Sequence, residues 1–253
     1  MNKIKKFRIL KFKSKPILRA KNISKSFEDR PVLQNLNFSV SPGEIFGLLG
    51  PNGAGKSVTF QILIGITRAD HGEVSISGSR INDLPIHERT SKYKIGYIPQ
   101  NESVFRGLSA EDNLRSICEI MIKDKRIIET TVNNLLTEFS LTEVRKVLSK
   151  NLSGGQRKKL VIARALINKP KILIMDEPFS AIDPINIDVI KRIIVNLQSR
   201  GISIVISDHS FQNVLSCSDR VSLISDGQII ASGTPKEIVS DERARKVYFG
   251  ESY

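Results

Sequence analysis

The stretch of sequence that decides the fold reads Gly50-Pro51-Asn52-Gly53-Ala54-Gly55-Lys56-Ser57. It fits the pattern G-x-x-x-x-G-K-[ST], in which glycines let backbone N–H groups converge on phosphate oxygens and the next helix N-terminus adds positive partial charge. Lys56 would bridge the β- and γ-phosphates of a nucleotide, and the Ser57 hydroxyl would ligate Mg²⁺. The alternative is a chance glycine-rich turn, and the flanking sequence decides between them.

The flanking residues predict a buried strand before this loop and a helix after it. The run from Ile45 to Leu49 is apolar throughout and of strand length, and the helical pattern after the loop ends near Gly65. Upstream, Leu36, Phe38 and Val40 alternate with polar residues, which is typical of a further strand. A strand, a loop and a helix in this order are the context in which a phosphate loop works.

A second feature is an acidic pair at the end of another apolar run. Ile172 to Met175 predicts a buried strand, and Asp176 and Glu177 follow it. Asp176 would supply the acidic partner that nucleotide-bound Mg²⁺ needs, and Glu177 could orient and deprotonate an attacking water. Taken alone, the pair could equally be a helix cap or a surface turn, but its combination with the phosphate loop favours a nucleotide site.

A third feature is the segment Leu152-Ser153-Gly154-Gly155-Gln156, which predicts a helix start. Ser153 and Gln156 match an S-x-x-Q capping box, and the two glycines leave the first N–H groups of the helix bare. Such a start can hold an anion, although an ordinary capped helix is the alternative. One lysine-bearing loop and two anion-binding helix starts fit a nucleotide that two protomers grip from opposite sides.

The composition is that of a globular protein of 253 residues with an uneven charge distribution. Eight cations lie in the first 19 residues, so only +5 of the net charge of +13 belongs to the rest, too little to argue for nucleic-acid binding. Residues 1–16 are expected to form a disordered basic leader, with a start codon placed too early and attraction to an anionic membrane surface as alternatives. Cys118 and Cys217 lie among apolar neighbours and predict buried thiols in a reducing, cytoplasmic compartment. No apolar run approaches the ~18–20 residues that cross a bilayer.

The rest of the chain alternates strand and helix patterns around a purely helical stretch. Between residues 109 and 139 apolar side chains, including Met121, recur at helical spacing, which predicts a helical insert. Strand-like runs at 202–206 and 221–224 alternate with helical patterns, of which the longest covers 184–199. The outer parts are therefore expected to form one α/β layer domain that the helices interrupt.

The three features, in this order around a helical insert, resemble the ATP-binding subunits of ABC transporters from about residue 18 to the end of the chain. The resemblance implies an α/β P-loop NTPase of the ABC ATPase type, with a mixed β core plus a helical subdomain. It places a single domain at residues 17–253 and the helical subdomain at about 102–165. It also implies a homodimeric ATPase that uses Mg²⁺ and in which Ser153 to Gln156 contact the nucleotide of the other protomer.

The resemblance assigns roles to further residues. Gln100 would link the Mg²⁺ and water site to the helical subdomain and act in catalysis, and His209 would contact the γ-phosphate, an ordinary polar histidine being the alternative. Asp183 would communicate across the dimer. Phe27 would stack on adenine, unless it packs in the core. Val58 stands where many relatives have a hydroxyl, so backbone N–H groups would have to serve the α-phosphate.

Within the family, the segments 103–109 and 245–251 resemble the members that power lipopolysaccharide export. In those proteins the stretch near Phe105 and Arg106 receives the coupling helix of the membrane subunit, at a place where a loop can move with nucleotide state. The resemblance implies two copies of this chain beneath integral membrane permease subunits on the cytoplasmic face of the inner membrane. Lipopolysaccharide would be contacted by those partners, and a branched-chain amino-acid importer is the alternative.

Two other classes of function fit the sequence less well. A soluble ABC ATPase that acts on nucleic acid or ribosomes usually carries two cassettes, long coiled-coil insertions or zinc cysteines, and the sequence shows none of these. A nucleotide sensor without turnover would have no need of Glu177. The tail, residues 241–253, begins with acids and approaches its end with Val247, Tyr248 and Phe249, so it is expected to dock on its own domain or on the opposite protomer.

Overall fold

The computed structural model describes residues 15–101 and 103–248 of the chain. Its strands are β1 (Leu18–Phe27), β2 (Arg30–Val40), β3 (Ile45–Leu49), β4 (His71–Ile76), β5 (Ser79–Arg80), β6 (Ile95–Ile98), β7 (Ile172–Asp176), β8 (Ser203–Ser207), β9 (Arg220–Ser225) and β10 (Gln228–Gly233). Its α-helices are α1 (Lys56–Ile64), α2 (Ile86–Lys92), α3 (Ala110–Met121), α4 (Lys125–Glu138), α5 (Gly154–Leu166), α6 (Pro184–Ser199), α7 (Phe211–Cys217), α8 (Pro235–Ser240) and α9 (Glu242–Tyr248).

A six-stranded sheet in the order β10-β9-β3-β8-β7-β6 carries the apolar runs predicted from the sequence. Its strands are parallel except β10, which pairs antiparallel with β9. Every residue of β3, β7 and β8 is buried, which is why these strands are apolar on both faces. Parallel strands end at the same edge of the sheet, so the residues after β3, β7 and β8 come together there.

A four-stranded antiparallel sheet in the order β2-β1-β4-β5 packs against the first. Phe38 of β2 stacks on Phe46 of β3, with ring centroids 5.2 Å apart and planes 3° from parallel. Phe60 of α1 lies in the same core between the sheets. The sequence did not predict β4, β5 or β10, because β4 is only half buried, β5 has two residues and β10 lies at a sheet edge.

The helical stretch between β6 and β7 is confirmed as α3 and α4, followed by α5. Leu114, Cys118 and Val132 are fully buried and share a core with Met175 of the central sheet. Met121, which helical spacing placed on the buried face, is exposed because α3 ends there. The predicted insert therefore packs on the sheet through one apolar face.

Some expectations fall on parts of the chain that the structure does not describe. Most of the basic leader, residues 1–14, lies outside the described residues, as does the end of the tail from residue 249. Both cysteines are buried and unpaired. Within residues 15–101 and 103–248, no helix has the length and apolar character needed to cross a bilayer.

Candidate nucleotide site

The phosphate loop connects β3 to α1, as the sequence predicts. Gly55 precedes the helix with a φ of 102°, a left-handed conformation that glycine adopts without a steric penalty. The Lys56 Nζ donates hydrogen bonds to the carbonyls of Gly50 at 2.6 Å and Pro51 at 3.0 Å. Burial lowers the pKa of Lys56 below its usual value, while nearby carboxylates, chiefly Glu177, oppose that shift. A buried ammonium group thus lies at the mouth of the loop.

Besides Ser57, helix α1 carries one further hydroxyl group, that of Thr59. The Thr59 hydroxyl donates to the Gly55 carbonyl at 2.8 Å, and the side chain is 1% exposed. Thr59 therefore does not replace the hydroxyl that is missing at Val58. Val58 and Ser57 both line the cleft above the loop.

The acidic pair ends β7 at the same edge of the sheet. Asp176 is 2% exposed and accepts a hydrogen bond from the Ser207 hydroxyl of β8 at 2.5 Å. Glu177 has a φ of 51°, and its N–H donates to the Ser207 carbonyl at 2.8 Å. A non-glycine residue in the left-handed region costs about 1 kcal/mol or more, so the surrounding contacts must impose this turn on Glu177.

Glu177 lies between two polar side chains that the sequence singled out. The Gln100 Nε2 donates to its Oε2 at 3.0 Å, and the His209 Nδ1 lies 3.6 Å from the same oxygen. All three line an open cleft of about 640 Å³ together with Lys56 and Ser57. The structure thus brings a carboxylate, an amide, an imidazole and an ammonium group to one cleft, as expected of a site for a nucleotide and a water.

Sequence reasoning missed Asp208, a buried residue next to His209 of this cleft. Asp208 is 0% exposed, and its carboxylate accepts hydrogen bonds from the N–H groups of Phe179 at 3.0 Å and Ser210 at 2.8 Å. Burial raises the pKa of Asp208 above its usual value. The carboxylate ties the segment after Glu177 to the loop that carries His209. An acid closely following the strand-like run 202–206 is the signal that could have indicated it.

The predicted capping box is present at the start of α5. The Ser153 N–H donates to the Gln156 Oε1 at 2.9 Å, and the Gln156 N–H donates to the Ser153 Oγ at 3.2 Å. Packing is a second reason for a glycine at position 155. A Cβ on Gly155 would lie 2.4 Å from the Asn186 side chain of α6. Among the described residues that line the 640 Å³ cleft, none comes from this segment.

Asp183 caps α6 close to the same segment. Its carboxylate accepts from the Asn186 N–H at 3.0 Å and from the Asn186 side-chain amide at 2.6 Å, which lowers the pKa of Asp183. Asp183 is also absent from the described lining of the cleft. The residues expected to act across a dimer are thus grouped apart from those expected to act within one chain.

The aromatic candidates are both on the surface. Phe27 ends β1 with 46% of its surface exposed, and the Lys25 Nζ lies 5.2 Å from the ring centroid. The core-packing alternative for Phe27 is therefore wrong. Phe105 is equally exposed, and Arg106 beside it is exposed as well. Neither belongs to the described lining of the cleft.

This fold and this site define a class of protein. The chain belongs to the ABC transporter family, whose family model matches residues 33–180. It is therefore an ATPase subunit of that family, as the sequence predicts. The chain is 40% identical to the lipopolysaccharide export system ATP-binding protein LptB of Haemophilus influenzae, over 94% of this chain and 98% of that protein. It is 42% identical to LptB of Escherichia coli, over 93% and 98% respectively.

Two solved structures show the same fold. A nucleotide-free ATP-binding cassette from an ABC transporter superposes with a TM-score of 0.85 at 29% identity, covering 94% of this chain and all of that one. A dimeric ATP-binding cassette in a post-hydrolysis state, bound to ADP and phosphate, superposes with a TM-score of 0.77 at 25% identity, covering 86% and 98%. The expected P-loop NTPase of the ABC type is thereby confirmed.

A second family model bears on the end of the chain. The model of the branched-chain amino acid ATP-binding cassette transporter matches residues 228–253. The segment 245–251 therefore does not by itself favour lipopolysaccharide export over amino-acid import, contrary to the sequence-based interpretation.

Proposed function

We propose that this chain hydrolyses ATP as a homodimer on the cytoplasmic face of the inner membrane and powers lipopolysaccharide extraction by integral membrane permease subunits. The observation that carries the hydrolytic part is the placement of Glu177 between Gln100 and His209 in one cleft with Lys56. The similarity to two LptB proteins over nearly their whole length supports lipopolysaccharide as the transported substrate.

The cleft residues can divide the hydrolysis among them. Phosphate oxygens would take the place of the two carbonyls at the Lys56 ammonium group, and Gly50 to Ser57 would surround the phosphates with backbone N–H groups. Glu177 would accept the proton of the attacking water, held in line by Gln100. The water oxygen would bond to the γ-phosphorus as the bond from the γ-phosphorus to the bridging oxygen breaks and ADP leaves. His209 would stabilise the charge on the γ-phosphate.

The donor set fits Mg²⁺ held jointly with a nucleotide. Within the part of the chain that the structure describes, no three histidine, cysteine or acidic side chains form a metal cage. Mg²⁺ is commonly held by one or two carboxylates, a hydroxyl and phosphate oxygens. Ser57 and Gln100 of the cleft and the buried Asp176 would hold the ion, in part through water. When bound, the ion would neutralise developing charge on the β- and γ-oxygens.

The separation of the two groups of site residues supports the proposed homodimer. Ser153 to Gln156 and Asp183 lie outside the cleft of their own chain, so they would complete the site of the partner. The dimeric cassette bound to ADP and phosphate supports this arrangement. In the same scheme Phe27 would stack on adenine, and the Val58 N–H would serve the α-phosphate.

A mixing experiment tests the shared sites. Lys56→Ala removes the phosphate contact of one site half, and Ser153→Arg blocks the other half. Neither variant alone should hydrolyse ATP, whereas random mixing should restore about a quarter of the wild-type sites, because half of the dimers are mixed and each has one intact site. Failure to recover any activity would contradict independent composite sites.

A reconstitution experiment tests the substrate. The full chain with its copurified permease would be placed in vesicles that contain lipopolysaccharide or are surrounded by labelled leucine and valine. ATP-dependent release of lipopolysaccharide, lost with Glu177→Gln, is expected. Uptake of the amino acids without lipopolysaccharide release would instead establish the importer, which the match at 228–253 favours as the second candidate.

A matched variant tests the permease contact. Phe105→Ala removes an exposed ring, so permease binding should weaken while ATP binding by the isolated chain stays close to normal. Phe27→Ala is the control, because it removes an equally exposed ring and should instead weaken ATP binding. Equal loss of both properties in Phe105→Ala would indicate misfolding and contradict the assignment.

A further inference from the structure

The loop that carries Phe105 is held by buried polar side chains of the helical part of the chain. The Phe105 N–H donates to the Asn113 Oδ1 at 2.8 Å, and its carbonyl accepts from the Asn113 Nδ2 at 3.0 Å. The Ser149 hydroxyl lies 2.7 Å from the Phe105 carbonyl and 3.1 Å from that of Leu108. Asn113 and Ser149 are both 0% exposed. Buried polar groups that are satisfied in this way rigidify the backbone they bond.

Arg164 joins the same loop to α5. Its guanidinium carbon lies 4.7 Å from the Phe105 ring centroid, and its Nη1 donates to the Ser103 carbonyl. Its Nε is buried without a hydrogen-bond partner in the part of the chain that the structure describes. Within residues 15–101 and 103–248, the ring contact and the bond to Ser103 hold this guanidinium group. A cation over an aromatic face is attracted by the negative potential of the ring.

Gln100, only five residues earlier, contacts a residue of the central-sheet part of the chain. Its amide donates to Glu177, which follows β7 of the central sheet. The sequence-based hypothesis placed Phe105 and Arg106 in a loop that moves with nucleotide state. The structure bonds the backbone of Phe105 to Asn113 of α3, so Phe105 would share any movement of that helix, and its movement with nucleotide state stays a prediction.

We propose that Asn113 and Arg164 are positioning residues that fix Phe105 to α3 and α5, so that the permease contact moves with the helix that begins at Ser153. This inference rests on the proposed contact between Phe105 and the permease. Closure of a dimer on a nucleotide would act on the start of α5, and Arg164 lies in the last turn of that helix. The displacement would then reach Phe105 as a rigid-body movement.

We call the attachment of Phe105 by Asn113 and Arg164 the clamp. A fluorescence experiment tests it without any permease. The chain contains no tryptophan, so Phe105→Trp introduces a single reporter into the full chain. In that background Arg164→Lys keeps the charge but loses the planar fork that stacks and bonds to Ser103. The amplitude of the fast, nanosecond anisotropy decay should rise about twofold. Arg126→Lys, at an exposed arginine of α4, is the control and should leave the decay unchanged.

A second variant tests the hydrogen bonds that Asn113 makes to the backbone of Phe105. Asn113→Ala in the same background removes the bonds to both backbone groups of Phe105 and should also raise the fast decay. Circular dichroism melts would show which variants are folded. Unchanged anisotropy in a folded Arg164→Lys chain would overturn the clamp, whatever the behaviour of Asn113→Ala.

The assembled transporter tests the mechanical consequence. Arg164→Lys in the otherwise unchanged chain should copurify with the permease and keep its isolated ATPase rate, yet transport per ATP should fall about fivefold or more. Because Arg164 is proposed to act through Phe105, Phe105→Ala combined with Arg164→Lys should be no worse than Phe105→Ala alone. Full transport per ATP in Arg164→Lys would overturn the coupling. Unweakened permease binding by Phe105→Ala would refute the proposed contact, while the anisotropy still decides the clamp.

Discussion

Glu177 combines an unfavourable backbone conformation with two side-chain contacts, which is how a reactive group is held in place. Its φ of 51° turns the chain sharply after β7, and the N–H bond to the Ser207 carbonyl fixes that turn. Gln100 and His209 then approach the same carboxylate oxygen. The carboxylate is therefore preorganised before a substrate arrives.

The first prediction concerns this carboxylate. Glu177→Gln keeps the shape of the side chain but removes the proton acceptor, so kcat for ATP hydrolysis should fall about 10²–10⁴-fold. ATP affinity should change little, because the phosphates are held by the loop and Lys56. Phosphate release and binding of a fluorescent ATP analogue measure the two quantities. Glu143→Gln, at an exposed glutamate, is the control, and a Glu177→Gln chain with near-normal kcat would rule out Glu177 as the base.

A second prediction at the residue scale concerns Glu111, which is buried among cations. Its carboxylate is 2.9 Å from Arg145 and from Lys146 and 3.0 Å from Arg115. The hydrogen bond from Arg145 is the largest cause that lowers the pKa of Glu111, to about 2. A depressed pKa means that this carboxylate stabilises the fold above its ordinary pKa and loses that effect as the pH falls toward 2.

Glu111→Gln should therefore lower the Tm near neutral pH and the difference from the parent should shrink as the pH falls from the ordinary glutamate range to about 2. Thermal melts at a series of pH values measure this. Glu119→Gln, at an exposed glutamate of α3, should show little difference at any pH. A Tm difference for Glu111→Gln that stays constant with pH would show that packing, and not charge, is the cause.

At the scale of elements, the start of α5 packs directly on the start of α6. Gly155 leaves room for Asn186, whose amide bonds to the Asp183 carboxylate. The position of the helix start that would hold a phosphate is thus linked to the cap of the next helix. A side chain at residue 155 would have to displace Asn186.

The third prediction follows from this contact. Gly155→Ala places a Cβ within 2.4 Å of Asn186, so the Tm should fall by several degrees and ATPase activity should drop. Gly155→Ala combined with Asn186→Ala should recover most of the Tm, because the second change removes the obstructing atoms. Asn186→Ala alone is the matched control. No recovery in the double variant would show that the glycine is needed for a reason other than this contact.

At the scale of the whole molecule, the end of the chain is attached to the fold that it completes. Ala244 of α9 is 0% exposed and belongs to the core that α3, α5 and the central sheet share. The Asp241 side chain accepts hydrogen bonds from the N–H groups of Arg243 and Ala244. The described beginning of the tail thus packs on its own domain, whereas the expected docking of Val247, Tyr248 and Phe249 concerns side chains outside the described part of the chain.

The fourth prediction uses two truncations. A chain that ends at Ser240 loses Ala244 and the helix around it, so its Tm should fall by about 5 °C and its isolated ATPase activity should decrease. A chain that ends at Tyr248 keeps α9 and should melt close to the parent. Calorimetry and ATPase assays on both measure this. An unchanged Tm in the shorter chain would indicate that the tail serves the assembly instead of its own domain.

The sequence by itself determined the features that depend on neighbouring residues. The glycines of 50–55 permit the backbone of a phosphate loop, and apolar runs of four or five residues specify buried parallel strands. The capping box of Ser153 and Gln156 spans four residues and was predicted in full. These signals are local, so they can be recognised without knowledge of the fold.

Only the tertiary structure decided which groups meet across long stretches of chain. Gln100 reaches Glu177 over 77 positions, and Asp208 reaches Phe179 over 29. Nothing at residue 113 or 164 indicates that both hold Phe105, because a buried amide and a stacked guanidinium acquire their partners only when α3 and α5 pack together. Side-chain hydrogen bonds and ring contacts act over a few ångströms, so packing, and not spacing along the chain, selects them.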